Sequence, residues 1–136
     1  MTTPIFAPGF RLSFIDVAVL VMGTIGTIAL WSMTWWWGFV VGFVLAHFFL
    51  FCNVFRIARN LELMWAAVFL ALAGATIVAE VPGWIATTIM SLMVTVAVVA
   101  AEIRKPSYHG IAWNRINPAL PAWWEDHFGP STPKSE

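Results

Sequence analysis

The chain has 136 residues, 60% of them hydrophobic and only 10% charged, against roughly 45–50% and about 25% in soluble domains. Seven basic and seven acidic residues cancel, so no basic face points to nucleic acid as a partner. The single cysteine, Cys52, excludes an intrachain disulfide and a cysteine-rich metal centre. Long uncharged stretches separate the few charges and predict an all-α integral membrane protein of one domain.

Residues 1–12 form a lead-in that Pro4, Pro8 and Gly9 should keep irregular, with Phe6 and Phe10 at headgroup depth. Ser13 reads as an N-cap, with Asp16 three residues on completing a capping box. The first span covers about 14–33, and its run is too long for a signal-peptide core, which predicts a retained anchor. Gly23, Thr24, Gly26 and Thr27 are small enough to admit a close neighbour.

The second span covers about 35–55, opening on Trp35, Trp36 and Trp37 and closing before Arg56 and Arg59. Tryptophans at one end and arginines at the other are the interfacial anchors of a bilayer-crossing helix. Gly38, Gly42 and Ala46 fall four apart and make a small-residue ridge. With almost no linker, spans one and two must form a tight antiparallel hairpin.

The third span covers about 61–79, with Asn60 as N-cap and Glu62 in the first turn. Ala67, Ala71, Ala75 and Ala79 form a second ridge, expected to pack against the ridge of span two. Residues 80–83 break the chain, and Pro82 is expected in the first turn of a fourth span covering about 82–101. Each span is near the ~20 residues that cross ~30 Å of hydrocarbon. The expected architecture is a four-helix transmembrane bundle of two antiparallel hairpins, spanning 13–105.

Four spans put Arg11, Arg56, Arg59, Arg104, Lys105, Arg115 and Lys134 on one side. The positive-inside pattern then places both termini in the cytoplasm. Residues 106–136, with five prolines, read as an irregular cytoplasmic tail with at most one short helical turn and mobile last residues. Tyr108, Trp113, Trp123 and Trp124 suit an interfacial segment that contacts lipid or a partner.

His47 is the one ionisable group near a span centre, a functional candidate by position. It shares a helix face with Val40, Phe43, Phe51 and Val54, opposite the glycine ridge. Three roles fit: a neutral ring bonded within the bundle, a group on a transport path, or an axial ligand to haem or a chlorophyll-type pigment. A bis-histidine haem would need a second intramembrane histidine from elsewhere. No Asp or Glu lies deep in a span, which argues against proton-coupled transport. The densest polar patch is Asn53, Arg56, Arg59, Asn60 and Glu62, where Arg59 can pair with Glu62 and Arg56 can meet lipid phosphate. Its alternative is an anion site shared with His109, Arg115 and His127. No nucleophile–base pair, phosphate loop or metal-ligand cluster is present to suggest catalysis.

The function expected is therefore non-enzymatic: a small multi-pass protein, bound in the lipid bilayer, acting by association as a self-assembling or accessory subunit with other membrane subunits or copies of itself. The alternatives are a small oligomeric channel or transporter using His47, and a pigment- or haem-binding subunit.

Overall fold

The computed structural model describes residues 4–129, which are all-helical with no strand. Lys134 and the last residues of the tail lie outside the described residues. Four stretches, Phe14–Met33, Trp35–Val54, Arg59–Ala79 and Trp84–Ile103, are long and apolar enough to cross a membrane.

Helix α1 (Phe14–Met33) starts on the expected capping box. The Asp16 amide donates to Ser13 Oγ at 3.2 Å, and the Ser13 amide donates to the Asp16 carboxylate at 2.7 Å. None of its residues is buried by the rest of the chain. It ends at Thr34, an extended residue that is also the N-cap of α2 (Trp35–Phe49). A one-residue turn folds α2 back onto α1, and the close approach is made by glycines. A Cβ on Gly38 would lie 2.6 Å from Trp31 Cβ, and one on Gly42 would lie 2.9 Å from Thr27 Cγ2. Gly23 of α1 faces Leu45 in the same way, at 2.7 Å. Ala46, the third residue of the expected ridge, is exposed.

The second span is not α-helical to its end. Leu50–Val54 is a π-helix, closed by the Phe55 amide donating to the Leu50 carbonyl at 3.0 Å. The wider turn carries Phe51 and Asn53 inward, and both are buried. Such turns concentrate at functional or strained positions.

Helix α3 (Arg59–Ala79) begins before Asn60, so that residue is not its N-cap. The N-cap is Ala58, whose amide donates to Glu102 Oε2 at 3.3 Å, so a carboxylate from the end of the fourth span faces the positive helix terminus. The larger correction concerns the alanine ridge. Ala67, Ala71, Ala75 and Ala79 all face outward, and the buried stripe is Trp65, Phe69, Ala73 and Thr76. The ridges of spans two and three therefore do not meet. Helix α2 touches α3 through aromatic rings, because Phe43 and His47 lie on the face opposite the glycines.

Helix α4 (Trp84–Ile103) starts at Gly83, at φ 95°, with Pro82 outside the helix. Its buried residues, Thr87, Ser91, Thr95, Val98 and Glu102, form one stripe at helical spacing against α3. The tail is more ordered than expected: α5 (Trp113–Ile116) and α6 (Leu120–Phe128) follow α4.

Candidate functional site

Trp65 lies where α2, α3 and α4 meet, 2% exposed. Its indole N–H donates to Thr95 Oγ1 at 2.8 Å and to the Ser91 carbonyl at 3.2 Å. A buried N–H without such partners would be costly. The same α3–α4 seam holds a second polar pair, with Thr76 and Thr87 hydroxyls 2.9 Å apart. Ser91 Oγ, fully buried, is the one sealed side-chain polar atom without a partner among the described residues. The Thr87, Ser91 and Thr95 stripe was not singled out from the sequence, although its four-residue spacing on an apolar span was visible there.

His47 belongs to this cluster. Its ring stacks on Trp65 with centroids 4.3 Å apart and planes 16° apart, and Phe43 covers it at 4.3 Å. Phe51 closes a third side at 5.8 Å. His47 Nδ1 lies 2.8 Å from the Phe43 carbonyl. A carbonyl only accepts, so Nδ1 carries the proton and a neutral ring leaves its lone pair on Nε2. That nitrogen makes no hydrogen bond among the described residues. Of the expected face, Phe43 and Phe51 are on the ring, and Val40 packs on the same core cluster.

A second convergence lies at the arginine-bearing end, where three separate segments are tied together. Asn53 holds the lead-in from both sides: its Nδ2 donates to the Arg11 carbonyl at 2.8 Å, and its carbonyl accepts from the Arg11 amide at 3.1 Å. The Gly9 amide donates to the His109 carbonyl at 2.8 Å, and Ile111 donates to Val54 at 2.8 Å. Phe6 sits edge-on to Trp113 and Trp124 at 6.0 and 5.4 Å, so the lead-in is packed on the tail.

Several expected contact residues are thereby used inside the molecule. Tyr108 is fully buried, with its hydroxyl donating to the Ile111 carbonyl at 2.8 Å, so it offers no surface to lipid or a partner. Burial, and after it the nearby Glu102 charge, pushes the Tyr108 phenol up, which keeps this donor protonated. Gly110 makes the burial possible, since a Cβ there would sit 2.7 Å from the Tyr108 hydroxyl and collide with the Phe55 carbonyl.

Arg56, at φ 51°, donates to the Ala7 carbonyl, and Trp123 stacks on His127 at 4.1 Å. Arg59 is exposed and does not pair with Glu62. The ion pair among the described residues is Lys105–Glu102, at 2.8 Å. Glu62 instead accepts from Cys52 Sγ at 3.6 Å. No group of three or more metal-ligating side chains is assembled among the described residues.

These features define an all-helical protein with four candidate membrane spans. Compared with protein-family models, with curated proteins and with solved structures, the chain matches none of them.

Proposed function

We propose that this chain is a non-enzymatic integral membrane protein of two antiparallel transmembrane hairpins that works by association with another membrane helix. The observation that carries this reading is the outward ridge on α3. Ala67, Ala71, Ala75 and Ala79 recur every four residues, and all four are exposed among the described residues. Between helices in lipid, close backbone approach supplies the packing and interhelical contacts that apolar burial does not. The chain's other small-residue ridge is already used, by α1 on α2. The first antiparallel hairpin is supported by the order of contacts, with Trp31 on Gly38, Thr27 on Gly42 and Gly23 on Leu45, and the second by Thr76 beside Thr87 and Trp65 beside Thr95. The basic residues at one end support cytoplasmic termini.

The partner is a second copy or an accessory helix of a larger complex. Doubling the bulk of the ridge with Ala71→Leu and Ala75→Leu is expected to weaken the assembly about tenfold or more, while helix content stays unchanged. Native mass spectrometry of protein extracted from its own membranes reads both the oligomer and any co-purified subunit. A wild-type protein that is strictly monomeric and alone removes the proposal.

A second reading rests on the free Nε2 of His47, the nitrogen that an axial ligand to haem or a chlorophyll-type pigment would present. Titrating haem into the purified protein should then produce an absorption band that His47→Leu abolishes. A preparation that stays colourless ends this reading without touching the first.

A further inference from the structure

At the end of the molecule opposite the arginines, the Thr34 turn and residues 80–83 come together around tryptophans. Trp84 packs against Trp35 at 5.5 Å and lies nearly parallel to Trp36, 24° between planes and 6.3 Å between centroids. Beside them opens a cavity of about 370 Å³ lined by Trp36, Thr76, Ile77, Glu80, Gly83 and Trp84. That volume falls in the range of small-molecule sites, and the mix of aromatic faces with one charged group fits one.

We propose that this cavity binds an organic ammonium cation, of the quaternary type carried by choline. Three features converge on a cation. Glu80 is the only Asp, Glu, Lys or Arg between residues 63 and 101, and residues 17–55 contain none, so its carboxylate is the only such charge at this end among the described residues. It makes no ion pair and no hydrogen bond through its side chain among the described residues. Helix α3 also terminates here, at Glu80 in the left-handed conformation, and brings the negative end of its dipole to the cavity. Trp36 and Trp84 both line the cavity, although Trp37 stacks on one face of Trp36 at 4.6 Å, and tryptophan is the aromatic residue whose quadrupole attracts a poorly hydrated cation most strongly. Among the described residues no basic side chain takes the place, because Arg11, Arg56, Arg59, Arg104, Lys105 and Arg115 all belong to the other ends of the spans and the tail.

Choline chloride titrated into the full chain in a maltoside detergent, against matched sodium chloride, should give saturable heat and a change in tryptophan fluorescence. The uncharged isostere 3,3-dimethylbutan-1-ol should bind about tenfold more weakly or worse, since it fills the same volume without the charge. Glu80→Gln should weaken choline by a similar factor with unchanged helix content, because Glu80 is exposed and its side chain supports no packing. Trp36→Leu should weaken it as well. In the same detergent, displacement of choline by added phosphatidylcholine but not by phosphatidylglycerol identifies a lipid headgroup as the occupant, and displacement by neither identifies a free cation. Absence of saturable choline binding, or Glu80→Gln and the neutral isostere both binding as well as their references, overturns the proposal.

Discussion

Trp65→Ala is expected to remove about 3–5 kcal/mol of stability, the range for deleting a fully buried large aromatic side chain. The loss is larger than the hydrogen bonds alone explain. Interhelical hydrogen bonds in membrane bundles average about 0.6 kcal/mol and reach about 1.7. Trp65 donates two, to Thr95 and Ser91, yet its ring is also the surface on which His47 and Phe69 stack. Stacked aromatic pairs add about 0.5–1.5 kcal/mol each beyond the area they bury. Trp65→Phe bears on the two contributions, because it keeps a six-membered ring between His47 and Phe69 while deleting the N–H and the rest of the indole. We expect it to cost about 1–2 kcal/mol, leaving Thr95 with its own bond to the Ser91 carbonyl at 2.8 Å. Denaturation with sodium dodecyl sulfate in mixed micelles, followed by circular dichroism, measures both. If Trp65→Phe is as damaging as Trp65→Ala, the hydrogen bonds and not the stack hold α2, α3 and α4 together.

The ends of the spans were readable wherever a local signal sets them. Ser13 and Asp16 satisfy each other within one helical turn, so α1 starts where the capping pattern says, and a single residue between Met33 and Trp35 leaves no freedom in the turn. The end of the second span was not readable, because its π-turn rests on distant partners. Asn53 reaches Arg11 across 42 residues of sequence, and nothing near Asn53 announces that bond. The start of α3 was missed for the same reason, since the carboxylate facing it comes from Glu102.

The alanine ridge was misassigned for a different reason. On α3 two stripes share a four-residue spacing, one of alanines and one of Trp65, Phe69 and Ala73, and spacing alone cannot choose between them. Polar satisfaction does choose. The Trp65 N–H has acceptors only toward α4, which turns the aromatic stripe inward and leaves the alanines outside. The tail carries more helix than its five prolines suggested. Trp113 and Trp124 pack on Phe6 of the lead-in, and Gly110 lets the tail approach the Phe55 carbonyl closely enough to bury Tyr108.

Gly38→Val should separate the first two helices, at about 1–3 kcal/mol or more, the range for overpacking a tight contact. The magnitude follows from what the new atoms would meet. A Cβ at Gly38 would lie 2.7 Å from both the Cα and the N of Trp31, and backbone atoms cannot rotate away as a side chain can. The one-residue turn at Thr34 removes the remaining freedom, because Gly38 lies within the first turns of α2 and cannot move without opening the hairpin. Gly42→Ala should be milder, since the nearest atom is the Thr27 methyl. Gly26→Ala, with nothing within 4 Å of the added atom, should be neutral or stabilising by up to about 1 kcal/mol through helix propensity. Thermal unfolding of the three variants in one detergent tests the order. A Gly26 variant as damaged as the Gly38 variant would show that helix α1 faces something on its outer side as well. In that case the association proposed for the alanine ridge of α3 would have to extend to the outer side of α1.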